Sequence, residues 1–193
     1  MHRILVKNPN TKKYWNKTAI SNGFLANFDF PPSDTLWEII RHIDFGNSIL
    51  DVGAGSGRIT RRIKEIRPNL RISACDFSKP ALVWLREKIP LNEVFFADLN
   101  NGIDKPDKSY DIIVCSEVLE HLDLPESAVK ELVRLARKKV IITVPYKDEA
   151  VKSTEHVWSF DLDDLYNLLS PFGMVYLTVA SGGSNIVAVC NLK

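Results

Sequence analysis

Cysteine is scarce in this sequence, with three residues, Cys75, Cys115 and Cys190, among 193. None belongs to a C-x-x-C pair and each sits in an apolar run, so neither a disulfide framework nor a thiolate zinc site is expected. Long apolar runs are missing too. The longest, such as residues 112–115 and 140–144, are strand-sized, whereas a membrane-spanning helix takes about 20 residues. No apolar stretch near the N-terminus suggests a signal peptide. Nor does charge of one sign prevail. Lys plus Arg number 25 against 24 Asp plus Glu, a net charge of +1, which suits an obligate duplex-DNA binder poorly because such a protein needs a basic stripe. What is present is an apolar share of 45%, with nine Phe, five Tyr and four Trp, too much for a disordered chain. One domain of this length buries about 70% of its unfolded surface without a metal or disulfide staple. A single cytoplasmic domain over residues 1–193, with reduced cysteines, is the expectation.

From residue 47 onward, short β-branched runs alternate with helical patterns. Residues 49–52, 70–75, 94–96, 111–115 and 140–144 read as five strands, nearly continuous in apolar character, as when helices cover both faces of a sheet. Between them, Ile59, Ile63 and Ile66 form one helical stripe. Val129, Leu132, Val133 and Ala136 form another behind Pro125, which suits a first helical turn. Such alternation implies right-handed crossovers and a parallel sheet. Residues 174–180 and 186–190 break the pattern, because the five turn residues between them cannot hold a crossover helix. An antiparallel hairpin is required there. The fold class expected is therefore α/β, doubly wound, with a mostly parallel seven-stranded sheet and an antiparallel C-terminal hairpin.

Ahead of the core at 46–193, residues 1–45 read as a cap. Thr35-x-x-Glu38 has the form of a capping box opening a helix with Leu36, Ile39, Ile40 and Ile43 on one stripe. Before it, Arg3, Lys7, Lys12, Lys13 and Lys17 are interleaved with Tyr14, Trp15, Phe24, Phe28 and Phe30. Either these aromatics tie a solvated segment to the domain, or the segment is a lid over a ligand with anionic groups.

The strongest local signal is Asp51-Val52-Gly53-Ala54-Gly55-Ser56-Gly57, which leaves a strand and opens a helix. Its glycines permit a tight turn and a close approach of ligand to backbone, with helix-start amides facing the ligand. A dinucleotide fingerprint starting at Gly53 would need glycine where Arg58 stands. A phosphate loop would need a lysine after the glycines. Asp76 and Asp98 end the next two strands and so line the same crevice. Alone, each would read as a cap or turn residue; together, beside the glycine loop, they point to a nucleoside site.

With these residues in place, roughly residues 45–193 resemble the class I S-adenosylmethionine-dependent methyltransferases. The resemblance implies that Asp51, Gly53, Gly55 and Gly57 belong to the loop holding the cofactor's methionine part. It implies that Asp76 binds the ribose hydroxyls, that Phe77 packs on adenine, that Asp98 with Leu99 reads the adenine edge, and that Ser116 lies near the methionine end. It implies methyl transfer to an oxygen, nitrogen or carbon acceptor. A subset of the family holds a divalent metal with an E-x-x-E-H segment, and Glu117, Glu120 and His121 match it, with His156 as a later ligand. On a helix the first three would share one face. Otherwise His121 and His156 are candidate catalytic bases or pocket-wall residues. The acceptor pocket is expected from residues 1–32, 116–124 and 145–160, where Tyr14, Trp15, Trp158 and Phe160 suit an apolar small molecule. An RNA acceptor is the rival suggested by the E-x-x-E-H segment and the basic N-terminus, and neutral total charge speaks against it. A non-catalytic nucleoside-binding regulator and a nicotinamide-dependent oxidoreductase are the other rivals.

Overall fold

In the computed structural model, which describes residues 1–5, 7–21, 33–43, 48–147 and 154–193, the chain begins with a two-residue strand β1 (His2–Arg3), followed by helices α1 (Lys12–Ser21) and α2 (Asp34–Arg41). The core follows as β2 (Ser48–Val52), α3 (Arg58–Ile66), β3 (Arg71–Asp76), α4 (Lys79–Lys88), β4 (Glu93–Phe96), β5 (Tyr110–Ser116), α5 (Pro125–Leu135) and β6 (Ala136–Pro145). The short β7 (Trp158–Ser159), α6 (Leu162–Leu169), β8 (Gly173–Ala180) and β9 (Asn185–Leu192) complete it. The seven-stranded sheet has the order β4-β3-β2-β5-β6-β9-β8. The first five strands in that order run parallel, and β9 is antiparallel to both its neighbours. Strand order reverses between β2 and β5, and in open α/β sheets ligands bind outside the carboxyl ends of the strands at such a point.

Alternation along each strand fills two cores. Ile49, Ile112 and Val114 face the side covered by α2 and α3, where Leu36, Ile39 and Ile63 pack. Leu50, Ile113 and Cys115 face the side covered by α5 and α6, where Val129, Leu132, Leu165 and Leu169 pack. The near-continuous apolar runs follow from this two-sided burial. All three cysteines are buried free thiols. No described helix is long and apolar enough to cross a membrane.

Three expectations need correction. Helix α2 is capped by Ser33, whose Oγ accepts from the Leu36 amide at 3.3 Å, and Thr35 lies inside the helix and is buried. Ser33 wins because its extended backbone (φ −89°, ψ 162°) is the one an N-cap adopts. Ala136 is not on the helical stripe of α5 but starts β6 directly after it. Residues 117–122 do not form an α-helix, as described below. The cap boundary at 45–46 and Phe24, Phe28 and Phe30 lie outside the described residues.

At the opposite, amino-terminal edge, Asp111 staples three central strands. It accepts from the Ser48 amide (3.0 Å) and Ser48 Oγ (3.1 Å) of β2 and from Arg137 Nε (3.1 Å) of β6, with Lys138 Nζ at 3.3 Å. Although burial opposes ionisation, these donors hold the carboxyl far below the usual carboxylate range. A depressed folded pKa means stability that is present above the unfolded value and lost as pH falls towards the folded one. Asp111→Asn should therefore lower stability at pH 7 by about 1.5–3 kcal/mol, the range for hydrogen bonds to charged groups. In denaturant melts the gap to the natural protein should shrink as pH falls below about 4, the unfolded Asp pKa.

Candidate functional site

The chain leaves β2 through the glycine loop in left-handed turns, with φ of +72° at Gly53, +55° at Gly55 and +78° at Gly57. At two of these a side chain is excluded by space as well. A Cβ on Gly53 would stand 2.5 Å from Val118 Cγ2, and one on Gly57 would stand 2.6 Å from both Leu85 Cδ2 and Ile89 Cδ1. The loop is pinned to the neighbouring strand end. Gly53 and Ala54 amides donate to Cys75 O at 2.9 and 3.1 Å, and the Gly55 amide donates to Asp76 Oδ2 at 2.9 Å. Trp84 Nε1 donates to Ser56 O at 3.2 Å from α4. Asp51 is buried and accepts from Thr60 Oγ1 of α3. Burial raises its pKa to about 6, the Thr60 hydrogen bond opposing and the Asp76 charge adding to the rise.

Asp76 is the other fixed carboxylate. Its Oδ1 accepts from the Ser78 amide at 2.7 Å while Oδ2 holds Gly55. Burial pushes its pKa up, and those amides work against the shift. Asp98 caps the turn after β4, accepting from the Asn100 amide at 3.1 Å and Asn101 Nδ2 at 2.8 Å. The glycine loop, Asp76, Phe77, Asp98, Leu99 and Ser116 line one cavity of about 320 Å³. Gly57 stands behind it at the start of α3. Asn10 and Trp15 from the N-terminal segment also border this cavity, as do Arg58, Glu117 and His121.

The metal-like segment is divided by its backbone. Glu117 has φ +56°, so the chain turns sharply out of β5, and residues Leu119–His121 form a single 3₁₀ turn. Glu117 and Glu120 therefore do not share a helical face. Glu117 points its Oε1 at Thr143 Oγ1 (2.8 Å) and Asn185 Nδ2 (3.0 Å). Crowding by protein raises its pKa, and those two donors partly offset the rise. Glu120, His121 and His156 do come together, their ligand-capable atoms all within 4.8 Å of one another. The rings of His121 and His156 meet edge-on at 4.9 Å, and Trp15 meets His121 at 5.0 Å. His121 Nδ1 lies 3.2 Å from Glu155 O; a carbonyl only accepts, so Nδ1 carries the proton. Burial lowers the His121 pKa to about 4, the Glu155 carbonyl opposing and His156 adding, which leaves the imidazole neutral at pH 7.

The N-terminal segment is laced over this end of the cavity. Asn8 Nδ2 donates to His121 O at 3.0 Å, Asn10 Nδ2 donates to Glu155 O at 2.6 Å, and Tyr14 donates to the Glu155 carboxylate. Trp15 Nε1 donates to Asn10 Oδ1 at 3.1 Å. At the other end, Asn16 Oδ1 accepts from the Lys79 amide at 3.1 Å, so α1 reaches the start of α4. Tyr14 and Trp15 were legible as pocket candidates; Asn8, Asn10, Thr143 and Asn185 carried no local signal.

Residues 50–141 match a methyltransferase domain family. Over this stretch the chain is similar to methyltransferases, and its fold is that of solved S-adenosylmethionine-dependent methyltransferases. Among curated relatives of this family, the malonyl-[acyl-carrier protein] O-methyltransferase of Halalkalibacterium halodurans is 33% identical over 94 residues, 46% of this chain and 35% of that protein. The ubiquinone biosynthesis O-methyltransferase of Proteus mirabilis is 28% identical over 98 residues, 48% of this chain and 39% of that protein. The chain thus spans between a third and two fifths of the length of these two relatives. The solved S-adenosylmethionine-dependent methyltransferase of Aquifex aeolicus shares the fold, with a TM-score of 0.65, 18% identity, and coverage of 95% of this chain and 99% of that one.

Proposed function

We propose that this chain is an S-adenosylmethionine-dependent methyltransferase that acts on a small-molecule acceptor, with residues 1–193 working as one domain and its N-terminal segment as a lid. The observation that carries this reading is the tie between Gly55 and Asp76 at the sheet's switch point, which makes one cavity of about 320 Å³ with Asp98 at its far side. The residues fit the cofactor. A carboxylate offers about four lone-pair positions. The amides of Gly55, Ser78 and Phe77 take up part of the Asp76 carboxylate, and what is left is an acceptor for ribose hydroxyls. Phe77 supplies an apolar surface beside them, and Asp98 an acceptor for an amino group. The glycines around Gly53 leave the backbone bare for the methionine part, with Ser116 next to it.

When bound, the cofactor supplies a methyl group already activated on a sulfonium. The chain's own task is to exclude water and to align the acceptor. Asn10 and Trp15 roof the cavity, and neutral His121, its Nδ1 proton held by Glu155, lines the same cavity with its Nε2 3.7 Å from the buried Glu120 carboxylate. Two relatives, a malonyl-[acyl-carrier protein] O-methyltransferase and a ubiquinone biosynthesis O-methyltransferase, support a modest acceptor over a nucleic acid. Calorimetry with S-adenosylhomocysteine checks the cofactor assignment. Asp76→Ala should weaken binding by about 1.5–3 kcal/mol, and unchanged affinity in a folded variant would remove Asp76 from the site.

A second reading is favoured by the juxtaposition of Glu120, His121 and His156. One carboxylate and two imidazoles suit Mn²⁺, Fe²⁺ or Zn²⁺, and a divalent ion held there would supply Lewis-acid stabilisation of an acceptor oxygen. Glu117, tied to Thr143 and Asn185, is left out of that set. Titration of chelator-stripped protein with Mn²⁺ and Zn²⁺ separates the readings. The metal reading expects one-site binding that His121→Ala abolishes; absence of such binding leaves the histidines as pocket wall or base.

A further inference from the structure

A second cavity, of about 160 Å³, opens beside the first, bordered by Leu36, Ile39, Ile59, Glu117 and Asn185. Arg58, Ile59, Ser116 and Glu117 line both cavities, so the second space joins the first at the end opposite Asp98. A space of about 150 Å³ is large enough for a benzene ring. Leu36, Ile39 and Ile59 give this cavity an apolar wall, while Ser33, Thr35 and Arg58 at the starts of α2 and α3 join the carboxyl edge of the sheet in supplying polar groups.

Glu117 and Arg58 are the charged groups at the junction, and the orientation of Glu117 is fixed by groups behind it. Thr143 Oγ1 and Asn185 Nδ2 both donate to the same oxygen, Oε1, at 2.8 and 3.0 Å. Ser116 Oγ lies 2.6 Å from Thr143 Oγ1; since the Thr143 proton goes to Glu117, Ser116 is the donor in that contact. The hydroxyls thus form a directed chain, Ser116 to Thr143 to Glu117. Among the described residues the other oxygen, Oε2, receives no hydrogen bond. Its left-handed backbone at φ +56° is a conformation a non-glycine residue holds at a cost, and such residues cluster at functional sites. A carboxylate anchored through one oxygen and open at the other is built to accept a proton donor.

We propose that the second cavity is the acceptor pocket and that Glu117 Oε2 accepts the O–H or N–H of a small, neutral, largely apolar acceptor. This rests on the cofactor reading above in its metal-free form. In the transfer, a lone pair on the acceptor's oxygen or nitrogen forms the bond to the methyl carbon. The carbon–sulfur bond breaks with its electron pair staying on sulfur, which leaves S-adenosylhomocysteine. The acceptor's proton passes to Glu117, whose carboxylate becomes a carboxylic acid and later returns the proton to water. Leu36, Ile39 and Ile59 set the apolar body of the acceptor, and Glu117 selects for the donor group.

The test uses protein saturated with S-adenosylhomocysteine, with EDTA throughout, and titrates phenol, aniline and toluene while following saturable shifts by NMR. Phenol and toluene match in shape and differ in the donor. The expected result is that phenol or aniline binds at least tenfold tighter than toluene, the stronger of the two marking an O–H or N–H pocket. In Glu117→Ala, kept saturated with S-adenosylhomocysteine, that preference should fall to within twofold. Glu117→Gly, which suits the left-handed backbone, replaces it if the Ala variant does not fold. A carboxylate that only braced the loop would alter phenol and toluene binding alike and leave their ratio unchanged. Equal binding of the three probes, no saturable binding, or a preference that survives both substitutions overturns the proposal. Failure of S-adenosylhomocysteine itself to bind strikes the cofactor reading first, and this inference with it.

Discussion

Backbone amides meeting one buried carboxylate set the geometry of the whole carboxyl edge. Asp76 ends β3, and its two oxygens hold Gly55 of the loop after β2 and Ser78 ahead of α4, with the Phe77 amide adding to them. Burying this carboxylate is costly, and the cost is offset only while these amides point at it. The left-handed turns of the glycine loop put the Gly55 amide in reach, and the packing of Leu85 and Ile89 against Gly57 keeps α3 close. The cavity between β2 and β5 is thus a consequence of satisfying one charge. The same atoms that satisfy it leave capacity for a ligand's hydroxyls.

From that anchor the site extends in two directions. Towards Asp98 it is lined by Phe77 and Leu99 and bordered by a capped turn. Towards β5 it meets Ser116, where the chain turns sharply at Glu117 and then brings His121 against His156. The N-terminal segment spans both directions, bonded to Glu155 at one end and to the start of α4 at the other. Its ties to the rest of the chain through Asn8, Asn10, Tyr14 and Asn16 all run through side chains.

The sheet was legible because β-branched runs and a five-residue turn leave few topologies: all five parallel strands and the final hairpin lie within a few residues of where periodicity puts them. The glycine loop and the aspartates at successive strand ends were legible for the same reason, since strand ends on one edge must face one crevice. Helix α1 was not, because its polar and aromatic residues give little helical periodicity and its place depends on Asn16 reaching α4. Thr35 imitated a cap because spacing alone does not distinguish it from Ser33 two residues earlier. The helical reading of residues 117–121 failed for a tertiary reason. Glu117 is drawn out of register by Thr143 and Asn185, 26 and 68 residues away, and no local pattern encodes those partners.

The central claim is that the cleft around Gly55 and Asp76 takes S-adenosylmethionine or its product rather than another nucleotide. Thermal unfolding in the presence of S-adenosylhomocysteine or NAD tests it most directly. A ligand at about 100 times its Kd adds about 2.7 kcal/mol of stability by linkage, which moves the melting temperature of a domain this size by about 5–11 °C. The account predicts such a rise with S-adenosylhomocysteine and none with NAD; no rise with S-adenosylhomocysteine, or an equal rise with NAD, would contradict it.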